Sequence, residues 1–213
     1  MKFPQLLEIV GEEPVFETGL LLAGDVDPAD VRRQLSRWTR AGHLYQLRRG
    51  LYALAPPFQK SRPHPFLVAN RLVSGSYVSC QAALTHHHLI PEFSPVITSV
   101  CNGRPNRWDT PLGRCEFRHI GPALLYGYRA VDAGDGQRVF VASPEKALLD
   151  LVHLQPGGDG LPYLHGLRLR NLDLLDAAEL KRLAGRSGRP KLMRAARNVV
   201  SLIEAEAREY ETL

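Results

Sequence analysis

The sequence lacks the features that mark membrane proteins and disulfide-stabilised proteins. Its three cysteines, Cys80, Cys101 and Cys115, form no C-x-x-C pair, which predicts buried free thiols in a reducing compartment. No apolar run approaches the roughly 20 residues of a membrane span. The N-terminus turns acidic too early for a signal peptide. We therefore expect a cytoplasmic protein that makes no membrane contact.

Common catalytic motifs are also missing. The chain contains no Walker-type glycine loop, no G-x-S-x-G and no dinucleotide-binding fingerprint. These absences exclude the enzyme classes that carry such motifs, and leave only enzymes whose active sites are assembled from scattered residues. We predict no catalytic residue, no cofactor and no metal site.

One stretch of the chain has no negative charge. Residues 31–60 contain no aspartate or glutamate, whereas residues 1–30 contain seven acidic residues and one lysine. The formal net charge of the 213 residues is only +5, so the positive charge is concentrated in one place. Such clustering is typical of a nucleic-acid contact. The cluster consists of Arg32, Arg33, Arg37, Arg40, Arg48, Arg49 and Lys60.

Most of this cluster falls on a predicted helix. Asp27 suits the N-cap and Pro28 the first helical position, while Gly42 favours a C-terminal end, so we predict a helix over residues 28–41. An apolar stripe along it, at helical spacing, predicts the buried side and comprises Val31, Leu35 and Trp38. The polar side carries Arg33, Ser36, Arg37 and Arg40, with Arg32 on its flank.

After Gly42, two short apolar segments predict a β-hairpin that turns at Arg48-Arg49-Gly50. We also predict a helix before Gly11 and another at Thr18 that runs into residues 23–24. This order predicts a winged helix-turn-helix, whose basic helix enters the major groove while Arg48 and Arg49 lie near phosphates or a minor groove. The alternative is a solvated helix face, because arginine is a good helix former.

A proline-rich stretch divides the chain. We predict a winged-helix domain over residues 1–56, a semi-rigid linker over 57–64 and a second domain over 65–213. In the second domain, apolar periodicity predicts an antiparallel or mixed sheet flanked by helices, so the fold class is α+β. The predicted helices cover 66–73, 80–88 with Ser79 as its cap, 176–184 and 191–210, with one more beginning after Ser143. The predicted strands cover 95–100, 115–120, 126–131 and 138–142, and the alternation in 115–120 places Cys115, Phe117 and His119 on one face.

Two clusters in the second domain suggest chemistry but have simpler explanations. Adjacent histidines on a helix point about 100° apart, so residues 86–88 cannot all bind one ion, and we interpret them as a helix end. Glu145 and Asp150 do not share a helix face, which argues against a nuclease site. A helix capped by Ser143, with Lys146 and Asp150 as an i,i+4 ion pair, explains the stretch better.

A second basic cluster lies near the C-terminus. It admits two interpretations: a solvated face of two helices, or a contact with DNA phosphates or another acidic partner. Its members are Lys181, Arg182, Arg186, Arg189, Lys191, Arg194 and Arg197.

Five segments, in this order, resemble the AbiEi antitoxins of bacterial type IV toxin–antitoxin systems. They are LSRWTRAGHLYQLRRGLYAL, HPFLVANRL, YVSCQAALTHHHLIPE, ITSVCNGRPNRWDTPLGRCEFRHI and VASPEKALLDLV, and the resemblance covers roughly residues 3–155. It implies an N-terminal winged helix-turn-helix, a C-terminal antitoxin domain, repression of the protein's own operon at inverted or direct DNA repeats, and a nucleotidyltransferase-like toxin that need not be contacted. It also implies DNA contacts from Arg32, Arg33, Ser36, Arg37, Arg40, Arg48 and Arg49.

We therefore expect a sequence-specific DNA-binding repressor that acts as an antitoxin. Two alternatives remain at this level. The winged helix could be a protein-interaction module that does not recognise DNA, since fold alone does not determine function. The second domain could also be a metal-dependent nuclease.

Overall fold

The computed structural model describes residues 1–23, 26–91 and 94–211, with the backbone alone for residues 209–211. The N-terminal part contains two helices, a 3₁₀ helix and an antiparallel sheet of strand order β1-β3-β2. Its elements are α1 (Phe3–Val10), β1 (Phe16–Glu17), the 3₁₀ helix (Thr18–Leu22), α2 (Pro28–Arg40), β2 (Leu44–Arg48) and β3 (Leu51–Leu54).

Helix α2 confirms the predicted helix to within one residue. The Asp27 side chain accepts a hydrogen bond from the Ala29 N–H at 2.8 Å, and Pro28 is the first helical residue. Gly42 follows the helix with a φ of 74°, a left-handed conformation that glycine adopts without strain. The predicted stripe of Val31, Leu35 and Trp38 is buried, so the opposite side of the helix is left to solvent.

The Asp27 cap provides a direct test of this helix. Asp27→Ala removes the acceptor of the Ala29 N–H, so we expect the free energy of unfolding to fall by about 0.5–2 kcal/mol. Asp27→Asn keeps an oxygen acceptor and should retain most of the stability. Urea denaturation of both variants measures the difference, and equal losses in both would contradict the capping role.

Two other N-terminal predictions are confirmed in part. Helix α1 ends at Gly11, which has a φ of 58°. The helix predicted at Thr18 is a short 3₁₀ helix instead, because Phe16 and Glu17 pair with Tyr52 and Leu51 as strand β1 and hold the start of this segment extended. Its predicted continuation into residue 24 lies outside the described residues.

The rest of the chain forms a six-stranded mixed sheet of order β6-β7-β5-β4-β9-β8 with helices packed against it. The mixed sheet and the α+β class agree with prediction. The helices are α3 (Pro65–Leu72), α4 (Cys80–His86), α5 (Pro144–Leu154), α6 (Leu161–Gly166), α7 (Ala177–Arg186) and α8 (Pro190–Glu211). The strands are β4 (Tyr77–Val78), β5 (Val96–Cys101), β6 (Asn106–Thr110), β7 (Gly113–His119), β8 (Tyr128–Asp132) and β9 (Arg138–Ala142).

Several details of this region differ from prediction. Ser79 precedes α4, but its hydroxyl donates to Asp150 at 2.8 Å and does not cap the helix. His119 is exposed although it was predicted to share the face of Cys115 and Phe117, because it ends β7 and bonds the Gly103 carbonyl. Strand β6 and helix α6 were not predicted.

The two parts of the chain are in contact. One core cluster lies within the N-terminal part, and a larger one fills the rest of the protein. Leu47 and Leu51 of the hairpin belong to the larger cluster, so one face of the hairpin is covered. The proline-rich segment is held in place as well, since Gln137 bonds the Ser61 hydroxyl, the Arg62 carbonyl and the His64 N–H. No helix in the described residues is long and apolar enough to cross a bilayer.

Candidate nucleic-acid interface

Helix α2 presents a polar face of the kind that the sequence predicted. The side opposite the buried stripe is exposed along its whole length. Four arginines and a hydroxyl therefore lie on one solvent-facing surface, which is about 12 Å long from Arg32 to Arg40 at 1.5 Å per residue. This surface, called the α2 face below, consists of Arg32, Arg33, Ser36, Arg37 and Arg40.

The arginines of the α2 face differ in their partners. Arg33 donates to Asp30 at 3.2 Å, an exposed i,i+3 pair that adds little stability. Arg40 donates to the Ser36 hydroxyl at 3.1 Å. Arg32 and Arg37 make no hydrogen bond or ion pair with the residues that the structure describes. Among the described residues, the face therefore offers two guanidinium groups without a partner and two others held by surface contacts.

The hairpin separates the two arginines that were predicted to act together. Arg49 lies at the exposed turn, and its guanidinium has no partner among the described residues. The Arg48 side chain is only 28% exposed and donates to Glu17 at 3.4 Å and to the Arg71 carbonyl at 3.4 Å. Its Nε is buried and has no hydrogen-bond partner in the described part of the chain. Arg49 is exposed and can contact a ligand, whereas Arg48 connects the hairpin to β1 and α3.

The contact between Arg48 and Arg71 reveals a nearby cation that sequence analysis missed. Arg71 is exposed at the end of α3, and its carbonyl lies 3.4 Å from the Arg48 guanidinium. The C-terminal end of α3 is therefore beside the hairpin turn. No local pattern could have indicated this, because the two residues are 23 positions apart and belong to different predicted domains.

Several members of the second basic cluster have partners within the chain. Arg182 donates to Glu179 at 2.5 and 2.7 Å, and Arg194 donates to Asp159 at 2.8 Å. Lys191 donates to carbonyls at the end of α5, and Arg186 lies 4.3 Å from the centre of the Tyr126 ring. These contacts favour a structural role for much of the cluster.

The carboxylates of the nuclease hypothesis are engaged elsewhere. Glu145 accepts the Ser143 hydroxyl at 2.8 Å and the Asp176 N–H at 3.0 Å. The predicted ion pair between Lys146 and Asp150 is present, but it is buried and not on a helix surface. The described residues contain no group of three or more histidine, cysteine or acidic side chains placed to hold a metal ion.

The three consecutive histidines have three different environments. His86 is the last residue of α4 and is exposed, His87 bonds the Ala142 carbonyl at 2.8 Å, and His88 has a φ of 60° just beyond the helix. They end a helix, as predicted, and the His86 and His87 rings contact each other at 5.0 Å between centroids.

The comparisons with known proteins add no further constraint on the site. No protein-family model matches the chain, and no curated protein matches it.

Proposed function

We propose that this protein is a sequence-specific DNA-binding transcriptional repressor whose first 56 residues form a winged helix-turn-helix. Helix α2 is the recognition helix in this proposal, and the β2–β3 hairpin is the wing. The order of elements supports it, because a capped basic helix is followed directly by an antiparallel hairpin with an arginine at its exposed turn. A helix of this length is sufficient to lie in a major groove about 12 Å wide.

The α2 face is the observation that carries the proposal. A recognition helix must bury one side in its own domain and present donors on the other. Arginine can donate two parallel hydrogen bonds to the O6 and N7 acceptors of guanine. Arg32 and Arg37 lie on this face with no partner among the described residues, so DNA contact would displace no internal interaction of either side chain.

The biological role rests on the resemblance to AbiEi antitoxins. In that role the protein represses its own promoter at inverted or direct repeats and counteracts a nucleotidyltransferase-like toxin encoded beside it. The second domain would supply the antitoxic activity, with or without direct contact with the toxin.

Substitutions of the two hairpin arginines distinguish a DNA-contacting role, expected for Arg49, from a structural role, expected for Arg48. We expect Arg49→Ala to weaken binding to all DNA sequences alike and to reduce the slope of log K against log salt by about 0.9, without changing the melting temperature. Arg48→Ala should lower the melting temperature, because it removes the contacts with Glu17 and the Arg71 carbonyl. Salt-dependent anisotropy titrations and thermal melts measure both effects. An Arg49→Ala variant with an unchanged salt slope would remove the wing from the interface.

The proposed repression is tested with a reporter gene driven by the DNA upstream of the protein's own gene. We expect the protein, supplied in trans, to reduce reporter expression, and a variant with both Arg33→Ala and Arg37→Ala to lose this effect at equal protein level. Unchanged expression in the presence of the wild-type protein would contradict the repressor function.

The antitoxin role needs its own experiment. The neighbouring gene is expressed under an inducible promoter, with and without this protein. Growth rescue by the wild-type protein and by the Arg33→Ala/Arg37→Ala variant would place antitoxicity in the second domain. Absence of rescue by either would reject the antitoxin role while leaving the repressor function intact.

A further inference from the structure

A cleft of about 320 Å³ lies beside α3 and α4, away from the α2 face. Residues of α3, α4, β5 and β7 line it. Its walls are mostly apolar, and its volume falls at the lower end of the range for small-molecule sites. The apolar lining includes Pro65, Phe66, Ala82, Ile97 and Leu112.

Two imidazoles at the cleft have unused hydrogen-bonding capacity. The Phe66 ring makes edge contacts with both His64, at 5.1 Å between centroids, and His86, at 5.4 Å. His64 Nδ1 accepts from the Phe66 N–H at 3.2 Å, which leaves its Nε2 without a partner among the described residues. His86 makes no hydrogen bond with the described part of the chain. The two histidine rings therefore flank the Phe66 ring, and each has a ring nitrogen without a hydrogen-bond partner among the described residues.

The charge of the cleft favours an anion. Arg114 lies in the lining with its side chain 74% exposed, and its Nε forms an ion pair with Asp109 at 2.8 Å. The other guanidinium N–H groups make no hydrogen bond with the described residues and can donate to a ligand. Among the residues that the structure describes, the cleft lining contains no aspartate or glutamate. Burial raises the pKa of the Cys115 thiol to about 12, so this side chain adds no negative charge near neutral pH.

The imidazoles are neutral near pH 7. Burial lowers the pKa of His64, and burial together with the neighbouring His87 and His64 lowers the pKa of His86. Each neutral ring offers one N–H donor and one acceptor, so the pair can bond a ligand oxygen without requiring a second charge. Within the described part of the lining, Arg114 is then the one cation that an anionic group would meet.

We propose that this cleft binds a small aromatic carboxylate, with the ring against the Phe66 wall and the carboxylate at the Arg114 side. An apolar pocket with a few polar groups at its rim is the usual form of a site for such a ligand. Residues of α3, α4, β5 and β7 build this site and no residue of α2 or the hairpin enters its lining, so it stands independently of the DNA-binding proposal.

The test uses 2-naphthoate as the probe, titrated into the full-length protein and followed by its fluorescence. 2-Naphthalenemethanol, which has the same ring and no charge, is the matched ligand. We expect saturable binding of 2-naphthoate with a Kd between about 10 µM and 1 mM. The alcohol should bind about tenfold more weakly, because it cannot form a charge-assisted bond with Arg114.

Two variants and one control variant locate the site. Arg114→Gln should weaken 2-naphthoate binding about tenfold and leave the alcohol unaffected, whereas Arg107→Gln should change neither, since Arg107 is exposed on the neighbouring strand and does not line the cleft. Leu112→Trp should fill the cleft and abolish binding of both ligands. Melting temperatures establish that each variant is folded.

Several results would overturn the proposal. One is the absence of saturable binding to the wild-type protein at millimolar probe. Another is an equal loss of affinity for 2-naphthoate in Arg114→Gln and Arg107→Gln, which would indicate general charge attraction. Binding that persists in a folded Leu112→Trp variant would place the probe elsewhere. If Leu112→Trp does not fold, the Arg114→Gln and Arg107→Gln comparison decides alone.

Discussion

Asp150→Ala is expected to lower the free energy of unfolding by about 3–5 kcal/mol, a large part of the 5–15 kcal/mol typical of a folded protein. Lys146 and Asp150 are both almost fully buried, with side chains 2% and 1% exposed. Asp150 also accepts from the Tyr77 hydroxyl at 3.0 Å and the Ser79 hydroxyl at 2.8 Å. Its removal leaves one buried ammonium group and two buried hydroxyls without their acceptor.

The surroundings of Lys146 cannot replace the lost carboxylate. Its Nζ lies 4.9 Å from the centre of the Tyr126 ring, a contact that favours the cation but is weaker than a buried ion pair. Gly127 packs directly on the lysine stem, and a Cβ there would lie 3.0 Å from the Lys146 Cγ. The side chain therefore has little room to move its charge towards solvent.

Urea denaturation at pH 7 measures this effect. Glu179→Ala is the matched control, because it removes the carboxylate of an ion pair on an exposed helix surface, where the partner arginine remains solvated. We expect the free energy of unfolding to change far less in this control than in Asp150→Ala. A double variant with Lys146→Met and Asp150→Ala should recover part of the loss, since no buried charge remains. A loss below about 1 kcal/mol in Asp150→Ala would mean that the pair is not isolated from water.

The combined change of Arg33→Ala and Arg37→Ala is expected to weaken binding to the operator by about 2–6 kcal/mol, at 1–3 kcal/mol for each base contact. The two side chains lie one helical turn apart on the exposed α2 face, on the side of the helix away from the buried Leu35. Both are exposed, so truncation removes donors to DNA without opening the core. The melting temperature should therefore stay close to that of the wild-type protein.

A control variant that removes a distant arginine separates base recognition from general charge attraction. Arg138→Ala removes one exposed positive charge from strand β9, and its effect on operator binding should be minor. Binding of the Arg33→Ala/Arg37→Ala protein to shuffled DNA should fall much less than its binding to the operator. If Arg138→Ala and Arg33→Ala/Arg37→Ala lost the same binding free energy for each positive charge removed, the α2 face would not recognise bases.

The features that were predicted from sequence depend on local chemistry. Helix α2 has its cap, its first proline and its terminal glycine within the segment itself, and α5 has the Ser143 cap, whose hydroxyl accepts the Lys146 N–H at 3.2 Å. The β8–β9 hairpin follows from its glycine-containing turn. Such signals need no information about the rest of the fold.

The features that were missed depend on distant partners. Strand β6 has no alternation of apolar and polar residues, because it is an edge strand exposed along most of its length and held only by β7. The spacing of Lys146 and Asp150 predicts an ion pair, but their burial follows from the strands and helices packed over them. Arg48 was grouped with Arg49 because the two are adjacent in sequence, and the distant partners Glu17 and Arg71 separate their roles.

The measurement that tests the repressor account most directly is an anisotropy titration of the wild-type protein against the DNA upstream of its own gene. A shuffled duplex of the same composition is the reference, and both are titrated at two salt concentrations. The account predicts a preference of about 10³-fold or more for the upstream DNA. Equal and steeply salt-dependent binding to both duplexes would contradict it, because the arginines of the α2 face would then contact only phosphates.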